Sequence, residues 1–365
     1  MPFATTILAI VSCVSSFVAP ARAETPVFAN GADVGWLTQL ESFGYTYEDE
    51  TRTEMDALQI LKNHGINSIR IRTFVNPTIS STTLGVGNNG QAGSIALAQR
   101  ASATGFRIMI DFHYSDTWAD ARHQSIPAAW ASDSFTQLEN HVYNYTVSFM
   151  QALAASGIHP EWVQVGNEID RGMLLPMGST SHPRQLAYLI NCGYNAVKAV
   201  SPSTKVIVHL SGASELGHFE TFLDGLLPYG IRFDVIGASY YDGPGTVSTV
   251  ASNMRILASH YNKPVMICEI GHSSYDRTGS YDDVKSIIQA LKNLPGNSGL
   301  GVFYWEPEAP DDKITKNYGL GAVTPVGNKL EQFTSAIHPY LLDYNSSNQV
   351  SDPDFRNGLN GGKSP

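Results

Sequence analysis

Short apolar runs alternate with longer amphipathic stretches along most of the chain. The runs are VFANGADV (27–34), INSIRIRTF (66–74), FRIMIDFH (106–113), WVQVGNEI (162–169), KVIVHL (205–210), FDVIGASYY (233–241), PVMICEI (264–270) and GVFYWE (301–306). Several are rich in Val and Ile without strict polar alternation, the pattern of strands buried on both faces. Helical periodicity fills the intervals, at residues 51–64, 94–104, 133–156, 183–200, 216–227, 247–261, 280–293 and 327–337. Eight β–α pairs in strict alternation predict an α/β chain folded as a single (β/α)8 TIM barrel. An open, doubly wound sheet is the rival. It carries a Gly-rich phosphate loop after its first strand, and the segment here, GADVGWLTQLE, has none. His64-Gly65, Thr104-Gly105 and Ser156-Gly157 fit glycines that close helices just before strands.

The two ends break this rhythm. Residues 5–19 are mostly small and apolar, and Ala21-Arg22-Ala23 supplies an A-x-A cleavage site. Residues 1–23 therefore read as a secretory signal, although their start has no Lys or Arg. Residues 24–342 are assigned to the barrel. Residues 343–365, rich in Asn, Ser, Gly, Asp and Pro, are expected to form a flexible tail. Residues 76–93 form a long polar loop after the second strand, of the kind that walls a barrel's site.

Composition narrows the partners. The chain has 365 residues, 42% hydrophobic and 15% charged, and a formal charge of −10. Such an acid excess argues against nucleic acid and anionic membrane, which require clustered Lys and Arg. No run beyond the signal reaches the ~18 apolar residues of a membrane span. The mature chain is thus expected to be soluble, extracellular and monomeric. Once Cys13 leaves with the signal, Cys192 and Cys268 remain and are expected as buried free thiols. No C-x-x-C or H-E-x-x-H pattern marks a metal site, and no cofactor is implied. Asn144 and Asn345 head triplets that fit the N-glycosylation rule.

Active sites of such barrels lie at the C-terminal strand ends. The polar residues there are Arg70 and Arg72, Asp111 with His113, Asn167 with Glu168, His209, Tyr240 with Tyr241, Glu269, and Trp305 with Glu306. Carboxylates, arginines, an amide and aromatic rings at one mouth suit a neutral polyol and two-carboxylate chemistry at a glycosidic bond. Glu168 and Glu269 follow the fourth and seventh strands, on opposed sides of the barrel. One would donate a proton and the other attack, provided their surroundings split their pKa values. Duller readings exist for each residue. Arg70 and Arg72 could form only an ion pair, Asp111 could only orient a neighbour, His113 and Trp305 could be core, and His209 is a weaker candidate. Glu306 and Glu308, flanked by Pro307 and Pro310, read as secondary.

The stretches SIRIRTFVNP (68–77), DFHYSDTWAD (111–120), VQVGNEI (163–169), DVIGASYY (234–241) and GVFYWEPE (301–308) carry a resemblance to the arabinogalactan endo-β-1,4-galactanases. That family belongs to a clan of retaining glycosidases on (β/α)8 barrels. The resemblance implies Glu168 as acid/base, Glu269 as nucleophile and Arg70 as the group that keeps Glu269 ionised. It implies Asn167 on the 2-hydroxyl of the sugar, His113 and Trp305 lining the −1 subsite, and Tyr240 near the nucleophile. The register between Arg70 and Arg72, and between Tyr240 and Tyr241, stays open by one position. Three loops depart from the family pattern: Gly271-His272, residues 242–245, and Ala309-Pro310. The expected activity is secreted, endo-acting hydrolysis of β-1,4-galactan by retaining double displacement, with Glu168 titrating high and Glu269 low beside arginine. Two alternatives remain: another β-glycanase of the clan acting on a different galactan or plant polysaccharide, and an inactive polysaccharide-binding barrel.

Overall fold

The computed structural model describes Met1, residues 27–82 and residues 84–343. Residues 2–23 of the expected signal, the tail beyond Asp343 and Asn345 lie outside the described residues. Eight parallel strands close into a barrel: β1 (Ala29–Asp33), β2 (Ser68–Thr73), β3 (Arg107–Phe112), β4 (Trp162–Val165), β5 (Lys205–Leu210), β6 (Val235–Tyr240), β7 (Val265–Ile270) and β8 (Gly299–Trp305). Each strand pairs with its sequence neighbours, and β1 pairs with β8. The helices are α1 (Leu37–Ser42), α2 (Ala57–Asn63), α3 (Gln91–Ala103), α4 (Phe135–Ala155), α5 (Pro183–Val200), α6 (Leu216–Leu226), α7 (Val247–Tyr261) and α8 (Arg277–Lys292). Gly65, Gly105 and Gly157 all take left-handed backbone past helix ends, as expected.

The predicted helix at 327–337 is not formed. Leu330–Phe333 is instead a strand, in a small sheet with Thr46–Glu48 and Val323–Pro325. Its side chains alternate between half-buried and buried, a period of two. A 3-10 segment, Ser335–Asp343, follows in the place of an eighth outer helix, and Pro339 inside it bars regular α-helix. The chain also forms α1 before α2, where the sequence pattern predicted one helix.

Strand periodicity divides the side chains between two cores. Inside the barrel, Ala29, Met109, Trp162, Ile207, Val235, Met266, Cys268 and Phe303 form an apolar plug. Gly31 faces the Phe303 ring so closely that a Cβ there would lie 2.2 Å from it. Outward-facing residues such as Ile69, Ile71, Val163, Val165, Ile236 and Ala238 join the larger core under the helices. The plug sets the floor of the site, and inward residues nearer the strand C-termini form its next layer. Among the described residues no helix is long and apolar enough to cross a membrane. Cys192 and Cys268 are both free thiols. Asn144 sits within α4, where Thr146 of its triplet is fully buried.

Candidate active site

The layer above the plug is polar and almost fully buried, and Arg70 is at its centre. Its five N–H donors meet five acceptors. Nε donates to Gln164 Oε1 at 2.6 Å. Nη1 reaches Asp33 Oδ2 at 2.8 Å and Glu269 Oε1 at 2.9 Å. Nη2 reaches Asp111 Oδ2 at 2.9 Å and Asn167 Oδ1 at 2.8 Å. Strands β1, β2, β3, β4 and β7 and the β4 loop are thus tied through one guanidinium. A buried charge is tolerated only with such complete pairing.

Glu269 reaches this layer through a backbone irregularity. Met266 and Cys268 point into the plug, so strict alternation would turn Glu269 outward. The pairing of β7 with β6 slips between Ile267 and Glu269, which places Glu269 opposite Ser239. This bulge resets the phase and aims the carboxylate inward. Glu269 Oε2 accepts from the Tyr241 hydroxyl at 3.0 Å.

Glu168 approaches from β4. Its backbone has φ +42°, a left-handed conformation costly for a residue with a Cβ. Asn167 is clamped beside it. Asn167 Nδ2 donates to Ala119 O at 2.8 Å, and its Oδ1 lies 3.0 Å from His209 Nδ1. Gln124 Nε2 donates to the carbonyls of Asn167 and Glu168, at 2.7 and 3.1 Å. Glu168 Oε1 accepts from Ser239 Oγ at 2.6 Å, and Oε2 from Ala121 N at 3.4 Å. Ser239 Oγ also lies 3.0 Å from His209 Nε2. Burial, with the Arg70 charge nearby, pushes the His209 imidazole down to about 3, so it stays neutral.

Both catalytic candidates hold their protons more tightly than ordinary carboxyls. Burial raises Glu168, against the opposing bond from Ser239. Burial also pushes Glu269 up to about 8, opposed by Arg70 and reinforced by the charges of Glu168, Asp33 and Asp111. The sequence expectation of a low Glu269 is therefore corrected. Arg70 does not belong to Glu269 alone; Asp33 and Asp111 share its charge. An ionised Glu168 is among the charges that raise Glu269, so the protonation of the two carboxyls is interdependent. Arg70 and Tyr241 donate to Glu269, and among the described residues no cation pairs with Glu168, so a negative charge is better supported on Glu269 than on Glu168.

A cavity of about 450 Å³ opens above these groups, lined by Arg70, His113, Trp118, Ala119, Asp120, Asn167, Glu168, Tyr241, Glu269, Trp305 and Leu320. Seven of the ten sequence-selected residues line it. His113 spends both nitrogens on the protein: Nδ1 accepts from Ala119 N at 3.0 Å and Nε2 faces Asp111 Oδ2 at 3.1 Å. Its ring, not a free nitrogen, meets the cavity. Trp305 and Trp118 are edge-packed at 6.0 Å and share Trp36 as a neighbour, and Tyr318 packs against Trp305.

Three selected residues do not reach the cavity. Tyr240 is fully buried on the outer face of β6, its hydroxyl lying 2.5 Å from Gly243 O and 2.9 Å from Asp283 Oδ1. Tyr241, one residue later, takes the position beside the nucleophile candidate. Asp111 is buried beneath Arg70 and His113. Arg72 lies against Asp33 and Glu306, with its guanidinium over the rings of Trp36 and Trp118 at 5.3 and 4.6 Å. It supports Trp118 and does not contact the cavity. Glu306 is fully buried, pairing with Arg72 and accepting from Trp36 N at 3.1 Å.

Sequence reasoning passed over Trp118, Ser239, Asp33 and Gln164. Trp118 stood inside the DFHYSDTWAD stretch, and Ser239 shares the inward parity of Val235. Those were the available signals.

Comparison with known proteins agrees with this geometry. The model of Glycosyl hydrolase family 53 matches residues 29–338. The chain is 34% identical over 341 residues to a probable arabinogalactan endo-β-1,4-galactanase A from Aspergillus terreus, covering 87% of this chain and 91% of that one. It superposes on the GH53 catalytic domain of Ignisphaera aggregans with a TM-score of 0.77 at 30% identity, covering 86% of this chain and 96% of that domain. It is also similar to a fungal β-1,4-galactanase structure, with a TM-score of 0.76 at 28% identity, covering 85% and 98% of the two chains. The two glutamates meet in one cavity at the C-terminal end of a closed eight-stranded barrel, and with the match along almost the whole barrel this shows that the chain belongs to glycosyl hydrolase family 53.

Proposed function

We propose that this glycoside hydrolase cleaves β-1,4-galactan internally, with retention of configuration. The observation that carries the reading is the unequal setting of Glu168 and Glu269 around one cavity. Glu269 is held by a cation and a phenol, and Glu168 by a neutral hydroxyl and a backbone amide. Glu269 attacks the anomeric carbon in its ionised form. Glu168 protonates the departing glycosidic oxygen, then takes a proton from the incoming water. Covalent attack creates positive character at the sugar ring, which the buried negative charge on Glu269 stabilises.

The remaining cavity residues act on binding. Asn167 uses one Nδ2 hydrogen on Ala119 O and leaves the other for the 2-hydroxyl of the sugar. The Trp305 and Trp118 rings give apolar faces for sugar C–H groups. Galactan as the substrate rests on the relatives: the Aspergillus terreus protein is named an arabinogalactan endo-β-1,4-galactanase. Residues 1–23 fit the same reading, because a polymer too large to enter a cell needs a secreted enzyme.

The test is incubation of the purified protein with linear β-1,4-galactan, and in parallel with β-1,3-galactan, mannan and cellulose. Products are followed by chromatography and by anomer-resolved NMR. Release of galacto-oligosaccharides from β-1,4-galactan, with the β-anomer appearing first, supports the proposal. Preferred cleavage of another polymer would assign a different glycanase activity. Binding without turnover would leave a polysaccharide-binding barrel.

A further inference from the structure

We propose that Glu50, His64 and His338 form a transition-metal site at the foot of the barrel, with zinc the ion best suited to it. One ligand atom from each lies within 4.8 Å of the others. Glu50 Oε1 is 3.0 Å from His64 Nε2 and 2.5 Å from His338 Nε2, and Glu50 Oε2 is 3.1 Å from His64 Nε2. Two imidazoles and a carboxylate are a common zinc donor set, with water as the fourth ligand.

The surroundings favour that use. His64 Nδ1 lies 2.7 Å from the Ile60 carbonyl, so Nδ1 carries a hydrogen, while Nε2 donates to Glu50 and a bound ion would take the place of that Nε2 proton. Such an outer bond orients metal-bound histidines generally. Asp49 adds negative charge near His64. Tetrahedral bonds of ~2.0–2.1 Å place donor atoms roughly 3.3 Å apart. The Glu50–His64 gap therefore has to open by a few tenths of an ångström and the Glu50–His338 gap by somewhat more, while the two imidazole nitrogens, within 4.8 Å of one another, have to settle at the same spacing. Glu50 can move because its side chain is 35% exposed in the turn after Thr46–Glu48. The exposed side leaves room for water.

The location sets the consequence. His64 caps α2 just before β2 begins, at the end of the barrel opposite the catalytic cavity. His338 lies in the last 3-10 segment, where Tyr340 O backs onto Gly65. A bound ion would tie the early loop, α2 and the end of the barrel together. No spacing motif marks the site, because its donors come from positions 50, 64 and 338. Its role is stability, without contact to the substrate.

The experiment uses the full-length protein, stripped with chelator and then titrated with ZnCl2 or CoCl2 by calorimetry, absorbance and thermal melting. The expected result is one equivalent bound, with the intense visible bands of four-coordinate Co²⁺. Zinc at a hundredfold over its Kd should raise Tm by about 5 °C. His338→Ala and Glu50→Gln should each weaken binding at least tenfold while galactan hydrolysis at room temperature stays unchanged. Far-UV circular dichroism confirms that both variants fold. Absence of saturable binding, or one equivalent still bound at unchanged affinity in both folded variants, would overturn the proposal.

Discussion

Replacing Tyr241 by Phe removes one oxygen and leaves the ring that lines the cavity. The lost group is the hydroxyl that donates to Glu269 Oε2 at 3.0 Å. Glu269 keeps its bond to Arg70 at 2.9 Å, so its charge is not left unpaired. A hydrogen bond to a charged group contributes roughly 1.5–3 kcal/mol. Because Tyr241 is 42% exposed, the lower end applies. The bond favours the ionised carboxylate, so its loss raises the pKa of Glu269. At about 1.4 kcal/mol per pKa unit, the rise is about 1 unit. Activity on the acid side needs the negative charge on Glu269. The acid limb of the pH profile of kcat/KM on galactan should therefore move up by about 1 pH unit, and kcat at the optimum should fall about tenfold. An acid limb that stays in place, or moves to lower pH, in a variant with wild-type circular dichroism would refute the reasoning.

The wild type should lose kcat/KM on the alkaline side, as Glu168, whose carboxyl burial raises above its ordinary value, gives up the proton it must donate. The sign follows from a folded-state pKa of Glu168 raised above the ordinary carboxyl value: the proton that the reaction needs persists past the usual carboxyl range and is lost as pH rises further. Glu168→Gln should lower kcat/KM on galactan by ~10²–10⁴-fold. The loss should be much smaller on an aryl galactoside whose leaving group needs no proton, and equal losses on both substrates would speak against Glu168 as the acid. Arg70→Met leaves Asp33, Asp111 and Glu269 buried around a missing cation. Denaturant unfolding should show a loss of about 3–5 kcal/mol, and an unchanged midpoint would show that the arginine is not the keystone of the polar layer.

The barrel was legible because buried parallel strands write themselves as Val/Ile runs, and seven of the eight outer helices carry ordinary 3.6-residue periodicity. The 327–337 segment was not, because its pattern suits either period over so short a run, and the pairing with Thr46–Glu48 decides it. Parity could have separated Tyr240 from Tyr241. Val235, Gly237 and Ser239 point inward, so Tyr240 faces the helices and Tyr241 is the first residue past the strand. Parity would have misled at Glu269, where the bulge after Ile267 reverses it. The seat of Arg70 and the low-to-high reversal of Glu269 were out of reach. Both depend on how many carboxylates the closed barrel brings to one guanidinium, and spacing along a chain does not count them. Arg72 shares a face with Arg70, yet its position nearer the mouth hands it to Asp33, Glu306 and two tryptophans.

Division of labour between the two glutamates is tested most directly by a 2-fluoro-galactosyl substrate with a good leaving group, which lets the first displacement proceed and slows the second. After brief incubation the protein is digested and the labelled peptide sequenced by mass spectrometry. The expected result is one sugar bound covalently through Glu269, with turnover lost in step with labelling. A label on Glu168, or full inactivation with no covalent sugar, would contradict the assignment of Glu269 as the attacking group.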